Sequence, residues 1–154
     1  MTNNVQAGPR ALDHVVLPTA DLAVARARLS SLGFTVAPVG VHPFGTVNAC
    51  VYLADGTFLE PLAVGDASAA DRAVSENNVF VARDRSFRAA HGDEGFSAVV
   101  FASDDADADH LEFVEAGVSA GPRLDFSRPF VDATGRADVA SFRLAFAAEP
   151  TGDA

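Results

Sequence analysis

The sequence has a single cysteine, few cations and no long apolar run. One thiol cannot close an internal disulfide, which fits a reducing compartment. That residue, Cys50, lies in the strand-like run Asn48 to Leu53 and reads as an ordinary core cysteine. Eleven basic residues face 21 acidic ones, for a net charge of −10. A phosphate backbone would be repelled by such a surface, so no nucleic-acid partner is expected. Anionic membrane surfaces are disfavoured for the same reason. No stretch is apolar for long enough to cross a bilayer, and Met1 to Arg10 lacks the apolar centre of a signal peptide. A soluble, cytoplasmic protein is the expectation. No Ser-His-Asp arrangement, phosphate loop or Cys-x-x-Cys pair is legible.

What the chain does have is 49% hydrophobic residues over 154 positions, enough for one domain or two small units sharing a core. It also repeats itself once. A single offset of 84 residues carries His14 onto Ala98, Val15-Val16 onto Val99-Val100, Gly33 onto Gly117 and Pro38 onto Pro122. Such an ungapped match points to duplication of one folding unit. Duplicated units can enclose a ligand cleft, but only the first copy puts a histidine on its opening strand.

The first unit, residues 12–64, reads as β-α-β-β-β. Residues 12–17 form a buried strand, and Thr19 is a candidate helix cap with Asp21 near the positive helix end. Leu22, Ala25, Leu29 and Leu32 recur at helical spacing, and Gly33 supplies a left-handed stop. Phe34 to Val39, Thr46 to Ala54 and Thr57 to Val64 read as strands, the last two joined by an Asp55-Gly56 turn. Residues 65–95 form a partly helical connection, with helices expected over Ala67 to Val74 and Val79 to Ala90.

The second unit, residues 96–149, has a helix from Asp104 to Ala116 with Leu111 and Val114 facing inward. The acidic run Asp104, Asp105, Asp107 and Asp109 suits the positive end of that helix. Val118 to Phe126 and Val139 to Ala147 read as strands. One strand is then missing by the first unit's count. Ser127 to Asp132 makes up the count, another chain supplies the strand, or the sequence is a piece of a longer protein. Residues 1–11 and 150–154 are read as polar tails.

Three residues carry candidate chemistry. His14 is the polar residue inside the run Leu12 to Leu17, with Asp13 just before it, and Glu60 interrupts Phe58-Leu59 and Pro61-Leu62. A carboxylate in so apolar a strand needs a partner, because burying it alone is costly. Imidazole with carboxylate suits Zn²⁺, Fe²⁺, Mn²⁺ or Ni²⁺, although two ligands do not complete a site. The third is His42, in the segment His42-Pro43-Phe44-Gly45-Thr46-Val47-Asn48. There Thr46 and Asn48 offer polar groups on one strand face to a ligand or to the turn itself. Arg128 is a candidate for an acidic ligand group and Phe44 for an apolar one. Local ion pairing around Asp125 is the other reading for Arg123 and Arg128. His91 and His110 read as surface residues.

The motif Leu12-Asp13-His14-Val15-Val16-Leu17, the helix ending in Gly33-Phe34, the His42–Asn48 segment and Phe58-Leu59-Glu60-Pro61-Leu62 together resemble the glyoxalase-like branch of the vicinal oxygen chelate superfamily. The resemblance covers residues 12–64 closely and 96–147 more loosely. It implies an α+β fold of paired β-α-β-β-β modules around a cleft; in the second module the last-strand position is missing or not identifiable. It also implies a metal bound by a first-strand histidine and a last-strand glutamate, positions that fall on His14 and Glu60. The matching first-strand position of the second module is Ala98, which cannot bind a metal. In an enzyme of this kind one divalent metal would act as Lewis acid in lyase, isomerase or dioxygenase chemistry. Glu60 would serve as catalytic proton acceptor, and His42 and Asn48 would orient the substrate. The alternatives are a metal-free small-molecule-binding or drug-sequestering protein, and a non-catalytic structural module. A small-molecule ligand and a second copy of the chain are the expected partners.

Overall fold

The computed structural model describes residues 8–132 and 134–148. The expected tail at 150–154 and most of the one at 1–11 lie outside the described residues. The element order is β1 (Leu12–Pro18), α1 (Leu22–Ser31), β2 (Gly40–Val41), β3 (Thr46–Asn48), β4 (Val51–Tyr52), β5 (Phe58–Val64), α2 (Ala67–Ser75), α3 (Val79–His91), β6 (Ala98–Phe101), α4 (Ala106–Glu115), β7 (Leu124–Val131) and β8 (Ala137–Leu144). No described helix is long and apolar enough to cross a membrane.

The main sheet runs β2-β3-β5-β1-β6, with β4 also pairing on β5. Strand β1 is parallel to β5 and antiparallel to β6, so the opening strands of the two repeated stretches lie side by side. Cα partners share a face, and side chains alternate between faces along each strand. Val16 is opposite Glu60 on β5 and opposite Ala98 on β6, while His14 is opposite Phe58 and Val100. His14, Val16, Phe58, Glu60, Leu62, Ala98 and Val100 therefore line one face. On β3, Asn48 is opposite Leu62, which adds Thr46 and Asn48 to it.

Strands β7 and β8 form a separate hairpin with Phe126 opposite Phe142 and Arg128 opposite Ala140. Phe126 packs against Phe44 and His42, so this hairpin covers part of the first sheet's polar face. Among the described residues no strand pairs with the outer edge of β6. The stretch Ser127 to Asp132 is not the missing strand: Ser127 to Val131 continues β7.

Several local expectations change. Phe34 to Val39 is not a strand; it is tied to the sheet by one bond, from Ala37 N to the Cys50 carbonyl. The long strand expected from Thr46 breaks at Ala49-Cys50 into β3 and β4. Asp21, not Thr19, caps α1, accepting from Val24 N at 3.1 Å; Thr19 instead donates to Glu94. Leu32 lies past the end of α1 and is exposed. Leu111 and Val114 on α4 also face solvent. The inward side of α4 runs through Ala106, His110 and Phe113, so His110 is half-buried rather than a surface residue. Apolar periodicity picked the wrong stripe there because alanine and histidine complete the packed one.

Gly45 fixes the approach to the site. The His42 N–H donates to the Thr46 carbonyl at 2.9 Å, closing the turn between β2 and β3. The Gly45 carbonyl accepts from Gly65 N and Asp66 N, both at 2.9 Å, and so staples that turn to the start of α2. Gly45 has φ +91°, and a Cβ there would stand 2.5 Å from the Asp66 carbonyl oxygen and 2.6 Å from Ala70 N. Neither atom can yield, since both are backbone. Gly45→Ala is expected to cost about 2–4 kcal/mol, read as a lower urea midpoint.

Candidate functional site

Glu60 is held by strand β5 at 5% exposure, in the middle of the polar face. Its two oxygens have different partners. Oε1 accepts from Asn48 Nδ2 at 2.8 Å. Oε2 faces His14 Nε2 at 3.3 Å, a looser approach. On the other side of the ring, His14 Nδ1 donates to Asp13 Oδ2 at 2.6 Å. The ring stacks on Phe58 with centroids 4.3 Å apart, which fixes its plane. His14 is thus an imidazole between two carboxylates. Burial pulls its pKa down, but the hydrogen bonds and charges of Glu60 and Asp13 outweigh that and raise it above the ordinary value.

His42 has the opposite environment. Phe44, Phe80 and Phe126 surround its ring at centroid distances of 5.1, 5.7 and 5.4 Å. Asn48 Nδ2 donates towards His42 Nε2 at 3.4 Å, so Nε2 is the acceptor and Nδ1 carries the proton, donating to Thr46 Oγ1 at 2.8 Å. Burial, helped by the Arg128 charge and opposed by Glu60, lowers its pKa to about 4. The network Thr46–His42–Asn48–Glu60–His14–Asp13 is therefore continuous. One histidine at its ends favours the charged form and the other the neutral form, a pattern that separates acid from base roles.

The shift of His42 has a sign for stability. Its folded value lies below its unfolded one, so its contribution is complete above about pH 6.5 and is lost as pH falls towards 4. Full loss corresponds to about 3 kcal/mol. His14 works in the reverse direction, stabilising below 6.5 and losing that contribution as pH rises through its raised folded value. In denaturant titrations at pH 7.5 and 4.5, His42→Gln is expected to shrink the stability gap of the natural protein by about 2–3 kcal/mol.

Arg128 comes from β7. Its guanidinium carbon lies 5.9 Å from the Phe142 ring centroid. The close approach depends on Gly40, where a Cβ would stand 2.5 Å from Asn48 Oδ1 and 2.8 Å from the Arg128 guanidinium. Among the described residues Arg128 forms no ion pair, and its buried Nε has no hydrogen-bond partner. Arg123 behaves differently, pairing with Asp125 and Asp107. Phe44 belongs to an apolar cluster with Ala70, Ala73 and Val81. Cys50 is buried, and burial pushes its thiol up to about 12, so it is an unreactive core thiol.

His14, Glu60, Asn48, His42 and Thr46 form one chain of contacts. Of these, His14 alone lines a cleft of about 550 Å³ between the main sheet, α3 and β8; Phe44 and Arg128 are outside its lining. His42, Thr46 and Asn48 are buried and bonded to one another or to Glu60. Sequence reasoning passed over Asp84 on α3, a buried carboxylate that also lines the cleft. The available signal was its four-residue spacing from Arg88, with which it pairs at 2.8 Å.

A profile described as a glyoxalase-like domain matches residues 12–154. The chain belongs to the glyoxalase-like domain family. It is thereby placed in the vicinal oxygen chelate superfamily, and its mixed α+β architecture is consistent with that fold. Among solved structures, a hypothetical protein from Staphylococcus aureus aligns with a TM-score of 0.63 and 15% identity, covering 90% of this chain and 53% of the other. The chain thus spans about half the length of that protein. Methylmalonyl-CoA epimerase from Mycobacterium tuberculosis aligns with a TM-score of 0.53 and 18% identity, covering 88% and 86% of the two chains. At such identities the likeness concerns the fold alone. The search of curated proteins gave no match.

A divalent metal would find two donors here, His14 Nε2 and Glu60 Oε2. No group of three or more His, Cys, Asp or Glu suited to a metal occurs among the described residues. Ala98, at the position matching His14, offers no donor. Catalytic zinc sites use three protein ligands, so these two donors alone fall one short of that pattern.

Proposed function

We propose that this glyoxalase-like domain binds a small carbonyl compound in the cleft beside His14 and moves a proton on the carbon next to the carbonyl, as a lyase or isomerase does. The observation that carries this reading is the loose 3.3 Å approach of Glu60 Oε2 to His14 Nε2, beside the firm 2.8 Å bond that pins Oε1. Oε2 is the free end of a carboxylate whose orientation is already fixed. A substrate entering between the two groups would meet a proton acceptor in Glu60 and a hydrogen-bond donor in the His14 Nε2–H.

In this mechanism Glu60 Oε2 takes the C–H proton while the His14 N–H hydrogen-bonds the carbonyl oxygen, on which negative charge grows. Asp13 keeps the imidazolium charged and oriented. Asn48, and His42 behind it, are positioning residues that hold the carboxylate, and the positive charge of Arg128 favours the anionic intermediate. Return of the proton from Glu60 to the same carbon completes an exchange or epimerisation; its return to the former carbonyl carbon completes an isomerisation, in which the proton of the substrate's adjacent hydroxyl group passes to the former carbonyl oxygen.

The test is proton NMR in D2O with the hemithioacetal formed from methylglyoxal and a thiol. The protein should catalyse loss of the C–H signal, and Glu60→Gln should not. A cleft that binds the hemithioacetal without exchange would favour the metal-free binding protein instead.

A second reading keeps His14 and Glu60 as metal ligands, because their 3.3 Å separation is a spacing that two ligands of one ion can adopt. The remaining ligands would then be water or substrate. Elemental analysis tests it: near-stoichiometric Zn, Fe, Mn or Ni that disappears in His14→Ala would establish that site. As to partners, the exposed Val99 and Phe101 on β6 give a second copy of the chain an apolar surface to cover. Sedimentation velocity on the natural protein tests that dimer.

A further inference from the structure

The cleft beside His14 is lined on α3 by a carboxylate, Asp84, that the proposed chemistry does not use. Its walls are largely apolar, with Val16 and Leu62 from the main sheet, Phe87 from α3, Phe113 from α4 and Phe146 beyond β8. Asp84 is set among them at 6% exposure. Its Oδ2 accepts from Arg88 Nε at 2.8 Å. Its Oδ1 is buried and has no hydrogen-bond partner. A buried carboxylate oxygen without a donor is costly, and native structures leave few of them without a reason.

We infer that Asp84 Oδ1 is a recognition point for the ligand, and that the ligand is an apolar, ring-sized molecule carrying a neutral O–H or N–H donor. The volume of about 550 Å³ is in the range of small-molecule sites. The donor is neutral because the Asp84 charge is already balanced by Arg88, while Arg83 and Arg143 also line the cleft and oppose a cation. This names the substrate class for the proton-transfer site and rests on that reading for the choice of cleft. Asp84 acts in specificity only. A ligand lacking the donor would leave Oδ1 unpaired, and sites built on such a bond reject analogues that cannot make it.

Binding of 2-naphthol, 2-methoxynaphthalene and 2-naphthylmethylammonium to the natural protein tests this, by fluorescence titration with the 13C carboxyl resonance of Asp84 followed by NMR. The naphthol is expected to bind roughly 10-fold or more tighter than its methyl ether and than the ammonium compound, and to shift the Asp84 resonance. Asp84→Asn, which would turn an amide N–H towards the cleft, should abolish or reverse the preference for the naphthol over the ether. Equal affinities, absence of binding, tighter binding of the ammonium compound, or a naphthol preference with no response at Asp84 would each overturn the inference. The natural protein alone decides if the variant does not fold. Glu60→Gln should keep the naphthol preference, so failure of the proton-transfer reading and failure of this one are distinguishable.

Discussion

Glu60→Gln is expected to reduce proton exchange on the hemithioacetal by about 10²–10⁴-fold while the protein stays folded. The replacement keeps the shape of the side chain, and an amide oxygen can still accept from Asn48 Nδ2. What it loses is the charge and the basic oxygen facing His14. A second effect follows at the imidazole, because Glu60 contributes both a hydrogen bond and a charge to the raised His14 pKa. In Glu60→Gln that pKa should fall, with Asp13 alone left to support it against burial. The two effects separate a chemical role from a structural one: lost exchange with an unmoved His14 would mean that the carboxylate does not face the ring in solution. His14→Gln should also lose exchange, but it should leave the His42 titration nearly in place.

The largest expected loss of stability is at Arg88, away from the proton-transfer groups. Its guanidinium binds the buried Asp84 at 2.8 Å, the Leu62 carbonyl at 2.9 Å and the Thr19 carbonyl at 3.1 Å. One side chain therefore clamps α3 to the end of β5 and to the segment that follows β1. Arg88→Met keeps most of the apolar stem and removes every one of these bonds. It strands a buried carboxylate and the Thr19 carbonyl, while the Leu62 carbonyl keeps its bond from Thr19 N, and should cost about 3–5 kcal/mol. The double variant Asp84→Leu with Arg88→Met should recover part of that loss, since removing both charges is less harmful than isolating one. Urea unfolding of the single and double variants gives the comparison. Equal stability of Arg88→Met and the natural protein would show that the clamp is not formed.

The parts of this molecule legible in the sequence are those fixed by neighbouring residues. Gly33 and Gly117 end their helices at φ +95° and +71°, as their positions after apolar stripes implied. Asp55-Gly56 makes its turn because the Asp55 carboxylate accepts from Thr57 N and Oγ1 and Gly56 takes φ +88°. His14 and Glu60 stood out because each is a polar residue inside an apolar strand, and parallel pairing of β1 with β5 brings them together. Arg128 was harder to read. Nothing nearby in sequence says whether it pairs with Asp125 or lies over Gly40; the approach of the β7–β8 hairpin to Gly40 decides that. Thr19 was the expected helix cap; Asp21 takes that place because Thr19 is bonded to the distant Glu94. The inward stripe of α4 was missed because its packed residues include histidine and alanine. The spacing of Asp84 from Arg88 was a signal that pointed the wrong way, since an i,i+4 pair with arginine ordinarily marks a solvated helix face.

The central claim is that Glu60 is flanked by two histidines whose pKa values are pushed in opposite directions. Long-range 1H–15N NMR of the imidazole rings across pH 4–8 tests it most directly. The account predicts that His14 titrates above the ordinary histidine value. His42 should stay neutral, with its proton on Nδ1, until the pH approaches 4. Two histidines titrating together near their ordinary value would contradict it, and with it the division of labour on which the proposed chemistry depends.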